Sequence, residues 1–288
     1  MPPRDGRALI LCADDFGLSD GISATIVELA WMKRLSAISC MAVLESWPRQ
    51  ARRLKGLGRD VAVGLHLVLS DEQPLGVMPT YAPAGRMPGC DPLTAAALMG
   101  RAPLIEIGEE INRQFDAFEA ERGGPPDFVD GHQHVHMLPG VRAIVVDIVR
   151  RRAPDAWIRD CTDTPLATLV RPFPVRAARS GLLSSGLRCA AERAGVRTNL
   201  SFAGYYDFRA DYGAIFPSFL RNASAAHLVM CHPGSGWACD DRIAEARMRE
   251  ADLLRSRAFD EMLERARLSL TPFRHSAHEP VLSMLATA

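Results

Sequence analysis

Short apolar runs alternate with segments of helical period from one end of this chain to the other. The runs at 8–13, 38–44, 61–69, 127–137, 156–161, 199–205 and 226–231 read as strands, and a last one begins at Ser269. Between them, helical spacing predicts helices over 20–34, 48–57, 104–122, 140–152, 176–194, 211–221 and 240–266, the first capped by Ser19 or Asp20. Strand–helix repetition over about seven or eight units, with no clear linker, predicts one α/β domain over residues 1–288. A single (β/α) barrel of parallel strands accounts for it better than two domains. No G-x-G-x-x-G follows the first strand and no Walker A sequence occurs, which sets aside the usual nucleotide-binding sheets. Residues 70–103 interrupt the pattern: rich in Pro and Gly and without sustained period, they read as an excursion over one end of the barrel.

In a parallel α/β fold, functional polar groups gather at the C-terminal ends of the strands. Four of the runs end in a metal-capable or acid–base residue. The first ends in Asp14-Asp15, the third carries His66, the fourth carries Asp130 and a histidine series, and a late one ends in His232. Parallel strands would bring all four ends to one mouth, and that convergence says more than any single residue.

Asp14 and Asp15 repel each other unless a cation or hydrogen bonds relieve them. The pair fits an Asx turn and helix cap; it also fits a site where one carboxylate binds a metal and its neighbour takes a proton. His66, in Gly64-Leu65-His66-Leu67, fits a core histidine as readily as a ligand, although Gly64 allows close backbone approach. The stronger signal is Asp130-Gly131-His132-Gln133-His134-Val135-His136, where three of the eight histidines fall within five residues. If that segment stays extended, Asp130, His132, His134 and His136 share one face. Catalytic zinc usually keeps three protein ligands and an open position, so the surplus residues would bind substrate, support ligands or move protons. His232 suits a general acid near neutral pH, and Arg159 suits a substrate oxygen or a carboxylate.

Lys and Arg together number 34, as do Asp and Glu. That balance argues against nucleic acid or an anionic membrane surface as the main partner, while leaving room for a local patch. Seven cysteines (Cys12, Cys40, Cys90, Cys161, Cys189, Cys231 and Cys239) form no C-x-x-C pair, and four of them sit in apolar runs. Reduced core thiols fit better than a disulfide framework. The polar start at 1–7 offers no signal peptide, and no run nears the roughly 18 apolar residues of a membrane helix. The chain reads as cytoplasmic.

Four segments together resemble the YdjC-like (ChbG/HpnK-type) carbohydrate deacetylase family. They are Ala13-Asp14-Asp15-Phe16-Gly17, Gly64-Leu65-His66-Leu67, the Asp130–His136 stretch and Met230-Cys231-His232-Pro233-Gly234. The resemblance implies a distorted, polysaccharide-deacetylase-like (β/α) barrel that removes an N-acetyl group from an amino sugar, in an oligosaccharide or a glycolipid headgroup. It implies Asp15, His66 and His132 as ligands of one divalent metal, magnesium or zinc with manganese also open. Asp14 would be the base and His232 the acid, with Asp130, His134, His136 and Arg159 binding substrate or supporting the ligands. A homodimer would be in keeping with it. Residues 70–103 and 162–220 match no family motif, so the sugar stays open. The residues alone also fit a metal-dependent phosphoesterase, another amidohydrolase, or a sugar-binding protein on the same fold.

Overall fold

The computed structural model describes residues 7–236 and 241–273. The first half of the chain runs β1 (Arg7–Phe16), α1 (Asp20–Trp31), β2 (Ala37–Cys40), α2 (Trp47–Ala51), β3 (Ala62–Leu67), α3 (Cys90–Leu98), α4 (Leu104–Arg122) and β4 (Phe128–Gly131). Then follow α5 (Val141–Arg152), β5 (Trp157–Ile158), α6 (Pro165–Val170), α7 (Pro174–Ala194), β6 (Arg197–Thr198) and β7 (Ser201–Ala203). The chain continues through α8 (Tyr212–Phe219), β8 (Ala226–Cys231), α9 (Ala244–Arg255), α10 (Arg257–Ala266) and β9 (Leu268–Leu270).

The strands form one sheet in the order β6-β5-β4-β3-β2-β1-β8-β7, with β9 added on β1. Every pairing is parallel. The predicted parallel barrel is therefore the observed architecture, and all strand C-termini share one mouth. β1 pairs with β2, β8 and β9, and its residues from Leu9 to Phe16 are buried. Gly64 on β3 is packed so closely that an added Cβ would lie 2.5 Å from the ring of Phe128. That ring stacks in turn on Trp157 at 4.5 Å between centroids. The glycine thus permits close approach, though for core packing and not for a ligand.

The two ends of the order, β6 and β7, are consecutive in the chain but form no ladder with each other. Asn199, fully buried between them, bridges the gap with its side chain. Its Oδ1 accepts from the Asp160 N–H at 2.7 Å, and its Nδ2 donates to the carbonyls of Asp160 (2.8 Å) and Ser201 (3.0 Å). A side-chain amide, which has both donor and acceptor, does here what backbone pairing does elsewhere.

The 70–103 excursion contains one helix, α3, that the composition did not reveal. The rest satisfies its backbone on α4. Glu106 accepts from the N–H groups of Thr80 and Tyr81, and Glu110 accepts from Leu75. Gln114 exchanges two hydrogen bonds with the backbone of Val68. These three side chains stand four residues apart on one face, so α4 offers the irregular chain a row of polar partners.

Several boundaries differ from the sequence reading: most strands are shorter than their apolar runs, and α6 and β6 were not expected. The 38–44 run is a strand only to Cys40. The long helix expected over 240–266 breaks at Ser256, whose φ of −78° and ψ of 157° are extended, and its first residue lies outside the described residues. The histidine series does not stay extended. A 3₁₀ turn at His132–Met137 begins directly after β4, with left-handed backbone at Gln133 and His134. The tail after Pro280 and Cys239 also lie outside the described residues. Among the described residues no helix is long and apolar enough to cross a membrane.

Two predictions follow from this packing. Asn199→Ala removes these three hydrogen bonds to buried backbone and should lower unfolding free energy by about 2–4 kcal/mol in urea titrations. The second concerns His227, whose Nε2 donates to the Phe219 carbonyl while its Nδ1 accepts from Ser201 Oγ. Burial, aided by the Arg171 charge, pushes its pKa down from 6.5 to about 3. Folded His227 stays neutral where the unfolded chain takes up a proton. Its contribution is therefore whole above pH 6.5 and is lost as pH falls from there toward 3. Unfolding free energies from urea titrations should fall more for the wild type than for His227→Gln, by about 2 kcal/mol in all between about pH 7 and about pH 5.

Candidate metal and active site

Consecutive residues of a regular strand point to opposite faces, so Asp14 and Asp15 could not both face the mouth from an undistorted β1. The pairing with β2 slips between Ala13 and Phe16: three steps on β1 match two on β2. Asp15 takes up the extra residue with left-handed backbone, φ 64°. Non-glycine residues pay roughly 1–2 kcal/mol for that conformation. The bulge turns both carboxylates toward the mouth.

Asp15 Oδ1 lies 3.0 Å from His132 Nδ1 and 3.5 Å from His66 Nε2. Ligand atoms of Asp15, His66 and His132 all fall within 4.8 Å of one another. The other ring nitrogen of His66, Nδ1, donates to Asp130 Oδ1 at 2.7 Å, and Ser39 Oγ donates to the same oxygen. Asp130 thus orients the ring so that Nε2 faces Asp15. Arg159, fully buried, grips Asp14 with two bonds of 2.6 and 2.5 Å and places Nη2 2.5 Å from Asp130 Oδ2. On the other side, Arg247 Nη2 donates to Asp15 Oδ2 at 2.8 Å and its Nε to Asp241 at 2.8 Å.

The electrostatics follow from these contacts. Burial works to raise the Asp14 pKa, but the Arg159 charge and hydrogen bonds hold it well below the usual carboxylate range. Asp15 is likewise held down, against burial, by Arg247 and His132. Burial opposes a charge on His66, yet Asp130 and the neighbouring carboxylates push its pKa up to about 10. The buried carboxylates of Asp14, Asp15 and Asp130 outnumber the guanidinium groups of Arg159 and Arg247, and without a metal the third positive charge is a proton on His66, whose place a divalent cation would take. One carboxylate and two imidazoles fit a divalent cation at that point.

Asp14, Asp15, His66, His132 and His232 form the polar floor of a cavity of about 710 Å³. Tyr205, Tyr206 and Phe208 form an aromatic wall, with Arg176 and Arg242 also on the lining. His232 Nε2 stands 4.0 Å from Asp14 Oδ2. Burial pushes the His232 pKa down to about 4, against the pull of Asp15 and Asp14.

The structure separates the histidine series. His132 alone turns to Asp15. His134 packs edge-on against Tyr205 at 5.2 Å and Phe202 at 6.0 Å and still lines the cavity. His136 is fully buried and donates from Nε2 to the Arg159 carbonyl at 2.9 Å. Burial keeps both of these rings neutral, His136 with a pKa of about 4. Asp130 and Arg159 are buried beneath the floor and act on Asp14 and His66, not on the cavity.

Sequence reasoning missed Ser39, Arg247 and Glu250. Glu250 accepts from the backbone N–H of His232 and from Tyr206 OH, and burial pushes its pKa up to about 7. A signal was present: Arg247, Glu250, Ala251 and Leu254 share the core-facing stripe of α9, where charges are out of place. Within a helix laced with charge, that signal is easily read as a solvated face.

Removing the Asp130 charge should loosen the hold on His66 without touching the cavity. Asp130→Asn should weaken divalent-metal affinity by about 10–100-fold in calorimetric titration. Unchanged affinity in a folded variant would show that the His66 ring is held by packing alone.

Comparison with known proteins places the chain. The model of the family described as YdjC-like protein matches residues 8–265. Over 149 residues the chain is 34% identical to a chitooligosaccharide deacetylase of Enterobacter sp. (strain 638), covering 51% of this chain and 57% of that protein. This first alignment and the two after it span a little over half the length of the relatives, at 57%, 54% and 56%. A chitooligosaccharide deacetylase of Yersinia pestis (strain Pestoides F) is 29% identical over 235 residues, covering 79% of this chain and 81% of that one. A solved structure from Enterococcus faecalis V583, provisionally described as a cellobiose-phosphate cleavage protein, superposes with a TM-score of 0.72 at 18% identity. It covers 93% of this chain and 98% of that one, and it bears on the fold alone. With the motifs at the strand ends and a family match over most of its length, the chain belongs to the YdjC-like protein family.

Proposed function

We propose that this protein is a metal-dependent hydrolase that removes an N-acetyl group from an amino sugar, in an oligosaccharide or a glycolipid headgroup. The observation that carries the reading is the meeting of Asp15, His66 and His132 beside an Arg159-held Asp14 on the floor of one cavity. Relatives named chitooligosaccharide deacetylases give it its substrate class. We further place the protein in the cytoplasm, where free buried thiols such as Cys12 and Cys231 stay reduced.

Asp15, His66 and His132 would hold the cation. When bound, it supplies Lewis-acid polarisation of the acetyl carbonyl and acidifies water. A donor set of one carboxylate and two imidazoles suits zinc or manganese better than calcium and accommodates magnesium.

The remaining chemistry belongs to the chain. Asp14 stays ionised and fixed by Arg159, so it accepts a hydrogen bond from the attacking water and orients it. His232 is neutral at pH 7, so it starts as an acceptor and not as a charged acid. The reaction needs no outside proton: water gives one up and the leaving amine takes one. Asp14 and His232, 4.0 Å apart, form a relay that takes the proton at the carboxylate and returns it at the imidazole. Phe208, edge-on to the His232 ring at 5.4 Å, and Tyr205 offer faces on which a sugar ring stacks and sheds water.

Acetate release from a panel of N-acetylated sugars and glycolipids, on metal-stripped protein with zinc, magnesium or manganese restored, tests the reading. Asp14→Asn should cut turnover about 10²–10⁴-fold while metal content stays full. Asp15→Ala and His132→Ala should lose metal and activity together. Folded Asp15→Ala and His132→Ala proteins with normal turnover would sink the assignment. Tight metal binding without acetate release from any substrate would point to a different hydrolysed bond.

A further inference from the structure

Outside the cavity, α6 and the first half of α7 expose a run of large aliphatic side chains that no described residue covers. Leu166, Leu169 and Val170 are 66%, 75% and 39% exposed. Their spacing of three and four puts them on one face of α6, while Ala167 faces inward and is fully buried. On α7, Val175 and Leu182 are 82% and 77% exposed and seven residues apart, again one face, while Ser180, Ser184 and Leu187 turn to the protein. Only the turn at 171–173 separates the two helices. Five large aliphatic side chains left in water within 17 residues of chain are more than a scatter of single exposed residues.

The charges in this stretch are of one sign. Arg176 and Arg179 are exposed among the aliphatic side chains, and residues 165–182 contain no Asp or Glu. Asp163, just before, is spent on Arg171 at 2.7 Å with both side chains buried. A second copy of the chain covers such a face poorly. A two-fold contact sets the patch against itself, and Arg176 and Arg179 would then meet their own counterparts with no carboxylate between them. An anionic bilayer answers both features: aliphatic side chains enter the interface while arginines reach its phosphates.

The face is also continuous with the cavity. Arg176 lines the cavity and donates from Nη1 to the Tyr206 carbonyl at 2.8 Å, and Ser180 hydrogen-bonds Tyr205 of the aromatic wall. The start of α7 is therefore part of the rim. We propose that the exposed face of α6 and α7 docks on an anionic lipid bilayer and sets the cavity mouth against the membrane surface. Resting on the hydrolase reading, this makes a sugar headgroup anchored in that bilayer the favoured substrate over the same sugar free in water.

Vesicle sedimentation tests the docking without reference to activity. The wild type should pellet with vesicles of phosphatidylglycerol and phosphatidylcholine, less with phosphatidylcholine alone, and less again as salt rises. Val175→Asp with Leu182→Asp, and separately Leu166→Ser with Leu169→Ser, should each weaken binding about tenfold or more. Arg179→Glu should weaken it by at least about fivefold, the equivalent of about 1 kcal/mol for one basic residue near an anionic surface. All three proteins should keep wild-type circular dichroism and wild-type acetate release from a water-soluble acetylated sugar. If no substrate releases acetate but the vesicle results hold, the hydrolase reading falls and the docking surface stands. Absence of wild-type binding at low salt, or binding untouched by the variants, overturns the proposal. So does a wild-type dimer in sedimentation equilibrium that Val175→Asp with Leu182→Asp dissociates, since a second copy then covers the face.

Discussion

A guanidinium with no exposed surface, that of Arg159, ties Asp14 on β1 to Asp130 on β4 across the interior of the barrel. Three charges taken out of water are tolerable only together: removing one partner of a buried pair costs about 3–5 kcal/mol. The rest of the site hangs on this bridge. Asp130 turns the His66 ring, Asp14 is kept ionised beside the candidate ligand Asp15, and the Arg159 carbonyl accepts a hydrogen bond from His136. A change at Arg159 would therefore reach the candidate metal ligands and the candidate base at once, although its side chain never meets the cavity.

Strain is the second organising element. Left-handed backbone at Asp15, and at Gln133 and His134, falls on two of the three chain segments that bring candidate ligands to the mouth. At Asp15 it makes the bulge that aims two neighbouring carboxylates the same way. At Gln133 and His134 it turns the chain so that His132 is separated from the histidines that follow. Such backbone persists only where its surroundings over-determine it. Here the grip of Arg247 on Asp15 and the bond from Ser70 to the Gln133 side chain supply that.

Two helices solve related problems with charged residues on buried faces. α4 uses Glu106, Glu110 and Gln114 to receive the backbone of an irregular excursion, which makes that excursion an anchored part of the rim. α9 uses Arg247 and Glu250, one turn apart, to hold Asp15 and the backbone of His232. In both cases a carboxylate or guanidinium occupies a place that periodicity reserves for an aliphatic side chain.

Much of this was written in the local pattern of the chain. The alternation of apolar runs and helical segments determined a parallel barrel, because strands joined by helices return in the same direction. The C-terminal ends of those strands then named Asp14, Asp15, His66, His132 and His232 as neighbours before any contact was known. Period alone could not say what each would touch. Whether four residues of the Asp130–His136 stretch share a face depends on a backbone turn made by two left-handed residues, and no side-chain pattern announces such a turn. The partners of Ser39, Asn199, Arg247 and Glu250 could not be read for a related reason, even where the core-facing stripe of α9 marked Arg247 and Glu250 as out of place. Each is set by a partner between 18 and 232 positions away in the chain, and only assembly of the sheet with its helices brings those partners into hydrogen-bond reach.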